Sequence, residues 1–204
     1  MSTSPKGTLL IVAGPSGVGK SSLCKRLLRE FETLHMSISF TTRQPRGTEV
    51  DGVAYHFVDV PRFEQMVADG AFAESAFVHG NHYGSSRDAI AGVLDTGDDV
   101  LFDIDYQGAR QLKEAFPNAR AVLLMPPSMA ILESRLRGRD TDGEEVIQKR
   151  LAAARHELSQ FELFDFAIVN DEFEHAYDAL RGIYLSVRHQ VGHLRPKLRA
   201  LLNT

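Results

Sequence analysis

Short uninterrupted apolar runs alternate along this chain with longer segments in which apolar positions recur every three or four residues. The runs are Thr8-Leu9-Leu10-Ile11-Val12-Ala13, Val100-Leu101-Phe102, Ala121-Val122-Leu123-Leu124-Met125 and Phe166-Ala167-Ile168-Val169. Each is short and aliphatic or β-branched, and reads as a strand buried on both faces. Between them, Leu23, Leu27 and Phe31 recur every four residues, and Ile147, Leu151, Ala154 and Leu158 every three or four. Those are the stripes of amphipathic helices. Strands alternating with helices predict an α/β fold, a parallel sheet flanked by helices on both faces. Ligands in such sheets bind beyond the carboxyl ends of the strands. That rim should carry the loop after Ala13, together with Asp103 and Asn170.

Two stretches depart from this pattern. From about residue 37 to 87 the chain is polar and strand-rich. Asp51-Gly52 signals a turn, and Val53, Tyr55 and Phe57 then alternate with Ala54, His56 and Val58. This predicts a small mixed sheet inserted in the core to carry a second substrate. From Arg135 to Glu145 the chain is densely charged, with two glycines and one apolar residue, Leu136, the composition of a short mobile lid. Thr141 and Glu144 have the spacing of a capping box for the next helix. The expected organisation is a single domain over 1–204. Its core covers about 1–36, 88–134 and 146–204, with the insert at 37–87 and the lid at 135–145. The basic tail from Ser186 reads as a surface segment in which Pro196 interrupts any helix.

Bulk properties narrow the function classes. The 204 residues are 43% hydrophobic and 25% charged, an ordinary soluble globular composition. A net charge of −4 argues against a nucleic-acid binder. Basic residues are instead grouped, as Arg43 with Arg46, then Arg135, Arg137 and Arg139, then Lys149 and Arg150, which suits local phosphate sites. No apolar run approaches the ~20 residues of a membrane span, and no leader precedes the first strand. With one cysteine, Cys24, no internal disulfide forms, which fits a reducing cytoplasm. Cys24 sits beside the first helical stripe, next to Leu28, and reads as core packing. Self-association is left open.

The segment Gly14-Pro15-Ser16-Gly17-Val18-Gly19-Lys20-Ser21 fits the phosphate-loop pattern G-x-x-x-x-G-K-[ST] between a predicted strand and a predicted helix. Its glycines let backbone N–H groups turn around phosphate oxygens, and the helix N-terminus adds positive potential. Lys20 reaches the β- and γ-phosphates and the Ser21 hydroxyl suits Mg²⁺; Ser22 follows and is counted with the ATP site. Asp103, at the end of an apolar run, has the placement of a carboxylate that holds Mg²⁺ directly or through water. Asp105-Tyr106-Gln107-Gly108 also matches the D-x-x-G step of GTP-hydrolysing switches, but the N-K-x-D guanine motif that should accompany it does not occur. His79-x-x-His82 lacks a cysteine partner and reads as a turn rather than a metal site.

Ser39-Phe40-Thr41-Thr42-Arg43-Gln44-Pro45-Arg46 and Gly52-x-x-Tyr55-x-Phe57 resemble the monophosphate site of the guanylate kinases. Glu74, Gly80-Asn81-x-Tyr83-Gly84, Asp103-Ile104-Asp105-x-Gln107-Gly108, Arg135-x-x-Gly138-Arg139, Lys149-Arg150-Leu151 and Ile168-Val169-Asn170-Asp171 follow in order, so the resemblance spans about residues 8–185. It implies transfer of the γ-phosphoryl group of ATP to GMP, and to dGMP, with Mg²⁺, giving ADP and GDP in purine nucleotide metabolism and GMP recycling. Arg43 and Arg46 can present two guanidinium forks to one phosphate dianion, with phenolic bonds from Tyr55 and Tyr83. The resemblance assigns guanine reading to Glu74, with Ser39, Ser85 and Asp105 completing a polar wall. Lys20, Arg43, Arg135, Arg139 and Arg150 are the expected catalytic cations, and Asn170 resembles the residue on the adenine side.

Two rivals share parts of this pattern. One is a small kinase acting on AMP or another monophosphate, opposed by the Ser39–Arg46 segment and Glu74. The other is a catalytically silent interaction module of the same fold, opposed by the retained Lys20, Ser21 and arginines and by a chain with no room for a partner domain.

Overall fold

The computed structural model describes residues 6–78, 80–138 and 143–202. Its elements in chain order are β1 (Leu9–Ala13), α1 (Lys20–Glu30), β2 (Leu34–Met36), β3 (Phe40–Thr41), β4 (His56–Phe57), α2 (Val60–Ala68), β5 (Phe72–Val78), β6 (Asn81–Ser86), α3 (Arg87–Thr96), β7 (Asp99–Asp103), α4 (Tyr106–Ala115), β8 (Arg120–Met125), α5 (Met129–Arg137), α6 (Glu144–Leu158), β9 (Phe166–Val169), α7 (Phe173–Arg188) and α8 (Val191–Leu202). Five strands form a parallel sheet in the order β2-β7-β1-β8-β9, and four form a second, mixed sheet in the order β4-β3-β6-β5.

The apolar runs are continuous because both sheet faces are covered. Along β1 successive side chains enter different cores. Leu10 and Val12 pack with Leu23, Cys24 and Leu27 of α1 and Leu180 and Tyr184 of α7. Leu9 and Ile11 pack with Ile90 of α3 and Ala109 and Leu112 of α4. The register Leu9↔Val100 to Val12↔Asp103 brings Asp103 level with the end of β1, where the glycine-rich loop begins. Leu132 and Leu136 of α5 meet Ile147, Leu151 and Ala154 of α6 in a third cluster.

One buried polar group ties the opposite end of this sheet. Asp99, 1% exposed, accepts bonds from the Thr8 backbone at 2.6 Å, the Thr8 hydroxyl at 2.9 Å and the Tyr184 hydroxyl at 2.6 Å. Arg188 lies 3.3 Å from the same carboxylate. With the carboxylate accepting all of these donors, its burial is compensated.

Several local expectations need correction. The strand expected over Val53–Val58 shrinks to β4, because Gly52–Ala54 turns and Val53 stands in solvent. The segment 37–87 contains a helix, α2, capped by the Asp59 side chain on the Arg62 N–H at 2.9 Å. Its Phe63 and Met66 pack with Phe72 as the core of the smaller sheet. Helix α8 continues through position 196 instead of stopping there, forgoing the one backbone bond that a proline nitrogen cannot donate. Helix α6 begins after Gly143 with no side-chain cap, so Glu144 does not complete a capping box; it pairs with Arg137 at 2.5 Å. Thr141 lies outside the described residues. Of the stretch expected as a lid, Arg135–Arg137 close α5 and Glu144–Glu145 open α6.

Candidate active site

The loop from Gly14 to Gly19 leaves β1 at the carboxyl rim of the parallel sheet and enters α1. Gly14 has φ +146°, and a Cβ there would stand 2.1 Å from the Leu124 carbonyl oxygen. Gly19 has φ +100° and forms the N-cap of α1 without a side-chain bond. The first N–H groups of that helix therefore have no side-chain acceptor, and its first turn has no acidic residue, the condition for anion binding. A cavity of about 380 Å³ lies over the loop, walled by residues 14–22 other than Val18, and by Asp103, Asp105 and Glu157. Lys20 reaches back to donate to the Gly14 carbonyl. Ser21 Oγ donates to Asp103 Oδ2 at 2.6 Å. These two hard oxygen donors, held together beside the phosphate cavity, suit a hydrated Mg²⁺.

A second polar cluster lies on the smaller sheet where β5 meets α4. A bulge in β5 between Phe72 and Glu74 takes up Ala73, so that Glu74 faces Ser85 of β6. Ser85 Oγ donates to Glu74 Oε1 at 2.6 Å, and the Ser39 hydroxyl, 2.9 Å from Ser85 Oγ, completes the relay. Glu74 is 6% exposed. Burial pushes its carboxyl up and Asp105 adds to the shift, while the Ser85 bond opposes it. Asp105 caps α4, accepting from the Gln107 and Gly108 backbones at 3.0 Å each. Asp105 thus stands on the wall of the phosphate cavity and within electrostatic reach of Glu74. Gln111 of α4 bonds both the N–H and the carbonyl of Ser75, at 3.0 and 3.1 Å, locking β5 to the core.

Arg43, just after β3 of the smaller sheet, is 8% exposed, with its guanidinium 5.3 Å from the Tyr55 ring. Tyr55 and Tyr83 meet edge to face at 6.0 Å. Arg43 Nη2 donates to Glu49 Oε1 at 2.9 Å, and Nη1 to the Gln44 carbonyl at 2.8 Å. The Glu49 carboxylate, ahead of the Tyr83 hydroxyl, holds the Arg43 guanidinium above its ordinary value. Arg46 is exposed, and its backbone N–H donates to Glu49 Oε2 at 2.8 Å.

A profile of the guanylate kinase family matches residues 6–186. The chain belongs to the guanylate kinase family. The guanylate kinase of Alkalilimnicola ehrlichii is 46% identical over 196 residues, covering 96% of this chain and 97% of its own. That of Nitratidesulfovibrio vulgaris is 52% identical over 179 residues, covering 88% and 86%. The crystal structure of guanylate kinase from Anaplasma phagocytophilum superposes with a TM-score of 0.74 at 31% identity, covering 93% of this chain and 90% of that one. The α/β fold with its parallel sheet and small mixed sheet is thus that of the guanylate kinases.

Most of the expected site residues of this guanylate kinase fall into three groups. The phosphate loop other than Val18, Lys20, Ser21, Ser22, Asp103 and Asp105 share one cavity. Ser39, Glu74 and Ser85 form one bonded chain, and Arg43, Tyr55 and Tyr83 one aromatic–cationic cluster. Asn170 is different: it is 6% exposed, and its Nδ2 donates to the Val18 carbonyl at 2.7 Å. It supports the phosphate loop from beneath, and neither it nor Val18 lines the cavity. Arg135 donates to the carbonyls of Asn170, at 2.9 Å, and Asp171. Half-buried Arg150 lies on α6 and does not line the cavity, and Arg139 lies outside the described residues, as does His79.

Two carboxylates escaped the sequence reading. Glu157 lines the phosphate cavity, and its Oε1 has no hydrogen-bond partner among the described residues. Burial pushes its carboxyl up, and Lys20 and the backbones of Gly14 and Tyr106 pull it back. The available signal was a glutamate three residues after Ala154, on the buried stripe of α6. Glu49 offered no such signal within its exposed turn.

Proposed function

We propose that this protein transfers the γ-phosphoryl group of ATP to GMP, forming ADP and GDP and returning GMP to the diphosphate pool. The observation that carries this reading is the Ser39–Ser85–Glu74 relay, a buried carboxylate acceptor coupled electrostatically to Asp105 on the wall of a cavity at a helix N-terminus. Guanine presents N1–H and N2–H side by side, and the two oxygens of one carboxylate accept both. Adenine has no donor pair there, so a pocket built on Glu74 discriminates by ~10⁴–10⁵ in related cases of buried hydrogen-bond recognition.

The phosphate end divides between two clusters. Arg43 and Arg46, with Tyr55 and Tyr83, bind the GMP phosphate; the N–H groups of the loop and Lys20 bind the ATP phosphates. Arg135, Arg139 and Arg150 supply further positive charge at the transferring group. In phosphoryl transfer the protein acts chiefly by positioning and by neutralising spread charge. The GMP phosphate is already an anionic nucleophile, so no side chain has to remove a proton from it. Mg²⁺, held by Ser21 and Asp103 directly or through water, supplies charge neutralisation on the ATP phosphates. dGMP carries the same guanine edge and the same phosphate and is the expected second acceptor. A cytoplasmic location belongs to this proposal and is supported by the single cysteine, Cys24, which suits a reducing compartment. Among the described residues no helix is long and apolar enough to cross a membrane.

The deciding experiment is ADP formation from ATP·Mg²⁺ with GMP, dGMP, AMP, UMP and dTMP in parallel. Turnover confined to GMP and dGMP is expected. Turnover with AMP instead keeps the kinase and removes the Glu74 assignment. Silence with all five, in folded protein that binds ATP, returns the chain to the interaction-module class.

A further inference from the structure

Strand β5 lies at the edge of the smaller sheet, paired with β6 on one side only. In an antiparallel pair every second residue turns its N–H and C=O away from the partner, so an edge strand leaves those groups open. Ser75, in register with Gly84, is such a residue. Its N–H donates to Gln111 Oε1 at 3.0 Å, and Gln111 Nε2 donates to its carbonyl at 3.1 Å. One side-chain amide therefore pairs with the strand as a neighbouring peptide group would.

The helix that carries this amide also meets Glu74. Gly108 and Gln111 are three residues apart and share a face of α4. A Cβ on Gly108 would stand 3.4 Å from Glu74 Oε2, which places the carboxylate against the helix. That one face thus abuts two consecutive residues of β5, Glu74 and Ser75.

Two roles are open to the clamp, and its position separates them. A cap that only closed the edge of the sheet could sit anywhere along β5. This one grips the residue directly after Glu74, two after Ala73 in the bulge. The bulge interrupts the ladder on the amino side of Glu74. The clamp fixes the main chain on its carboxyl side, and with it the direction of the Glu74 side chain. An acceptor held in place before the base arrives costs less to use.

We propose that Gln111 is a positioning residue for guanine selection, a side-chain substitute for the missing strand that aims Glu74 at the base. The proposal rests on the assignment of Glu74 to the guanine edge. Neither Gln111 nor Ser75 lines the phosphate cavity, so the clamp acts on the monophosphate and not on ATP.

The test is a double-mutant cycle of Gln111→Met, Glu74→Gln and the two together, read in steady-state kinetics with GMP affinity by titration calorimetry. Methionine keeps the length of the side chain and loses both bonds to Ser75. Gln111→Met is expected to raise KM and Kd for GMP about tenfold, with KM for ATP unchanged, and to narrow the preference for GMP over AMP by the same factor. In the Glu74→Gln background the same change should cost less than about twofold, because the group it aims is already gone. Gln111→Asn keeps the amide but draws it back one methylene, and gives the same reading in smaller measure if the methionine variant does not fold. A clamp that serves the fold alone predicts a lower Tm, GMP and AMP affected alike, and additive effects of the two changes. That result, unchanged GMP affinity in the folded variant, or an equal rise for ATP each overturns the proposal. The underlying assignment fails separately, if Glu74→Gln alone leaves GMP kinetics within about threefold of wild type.

Discussion

Replacing Glu74 by glutamine preserves the shape of a buried side chain while removing its charge and one of its two acceptors. Ser85 can still donate to the remaining amide oxygen, so the relay from Ser39 survives in the free enzyme. The bound state is where the change is felt. Guanine brings two donors, and the glutamine amide turns a donor of its own toward one of them. The lost charge-assisted bond costs ~1.5–3 kcal/mol and the unpaired buried donor a further ~1–3 kcal/mol. At 1.4 kcal/mol per factor of ten, kcat/KM for GMP should fall by roughly 10²–10⁴. KM for ATP should stay within about threefold, since Glu74 lies outside the wall of the ATP cavity.

Stability should move in the opposite direction. Burial raises the Glu74 carboxyl above its ordinary value of 4.5, so the folded chain binds more protons than the unfolded chain above that pH. Stability contributed by this group is complete below 4.5 and is lost as pH rises through the folded value. Glutamine has no such loss. The variant should therefore melt higher than wild type at pH 8, with the advantage gone at pH 4.5. The same shift makes KM for GMP in the wild type worsen as pH falls through the raised value, because guanine requires the ionised form. The assay is coupled ADP formation over a GMP series, paired with thermal unfolding at the two pH values. GMP kinetics in Glu74→Gln within threefold of wild type would refute the base-reading assignment.

Lys20→Ala should abolish phosphoryl transfer with little change in melting temperature, and near-normal turnover there removes the lysine from the mechanism. Asp99→Asn replaces an acceptor of at least three bonds by a group that turns a donor toward Tyr184 or Arg188. Its cost is ~3 kcal/mol, or about 6–12 °C in Tm for a domain of this size, with GMP kinetics at 25 °C little altered; a Tm unchanged within 2 °C contradicts the argument. Cys24 lies on the buried face of α1, and burial pushes its thiol far above the ordinary range. It should resist a thiol reagent in the native enzyme and react fully in denaturant, and rapid native labelling is the opposing result.

What could be read from the chain alone was whatever is set by neighbours within a few residues. The apolar runs, the stripes at Leu23–Leu27 and Ile147–Ala154, and the glycine-rich loop are local, because side-chain period and backbone freedom are properties of short segments. The family resemblance added the list of polar residues around GMP. Helix α2 was also legible in principle, from Asp59 as cap, Pro61 in the first turn and Phe63 and Met66 three apart. It was hidden by the polar, strand-rich character of the stretch around it. The break expected at Pro196 failed for a different reason, since a helix can tolerate the loss of one bond.

Tertiary structure decided everything that depends on which distant groups become partners. Asn170 meets Val18 across 152 residues, Asp99 meets Thr8 across 91, and Glu74 faces Ser85 because of a single bulged residue. No local pattern encodes those pairings, since the same asparagine or glutamate in solvent would have an identical sequence neighbourhood. Burial alters their chemistry as well: desolvation raises a carboxyl only once other elements have closed over it. Residue types and their order along the chain thus determined the kind of site this protein has. Packing determined which polar groups line its cavity and which, like Asn170, hold the loop that forms it.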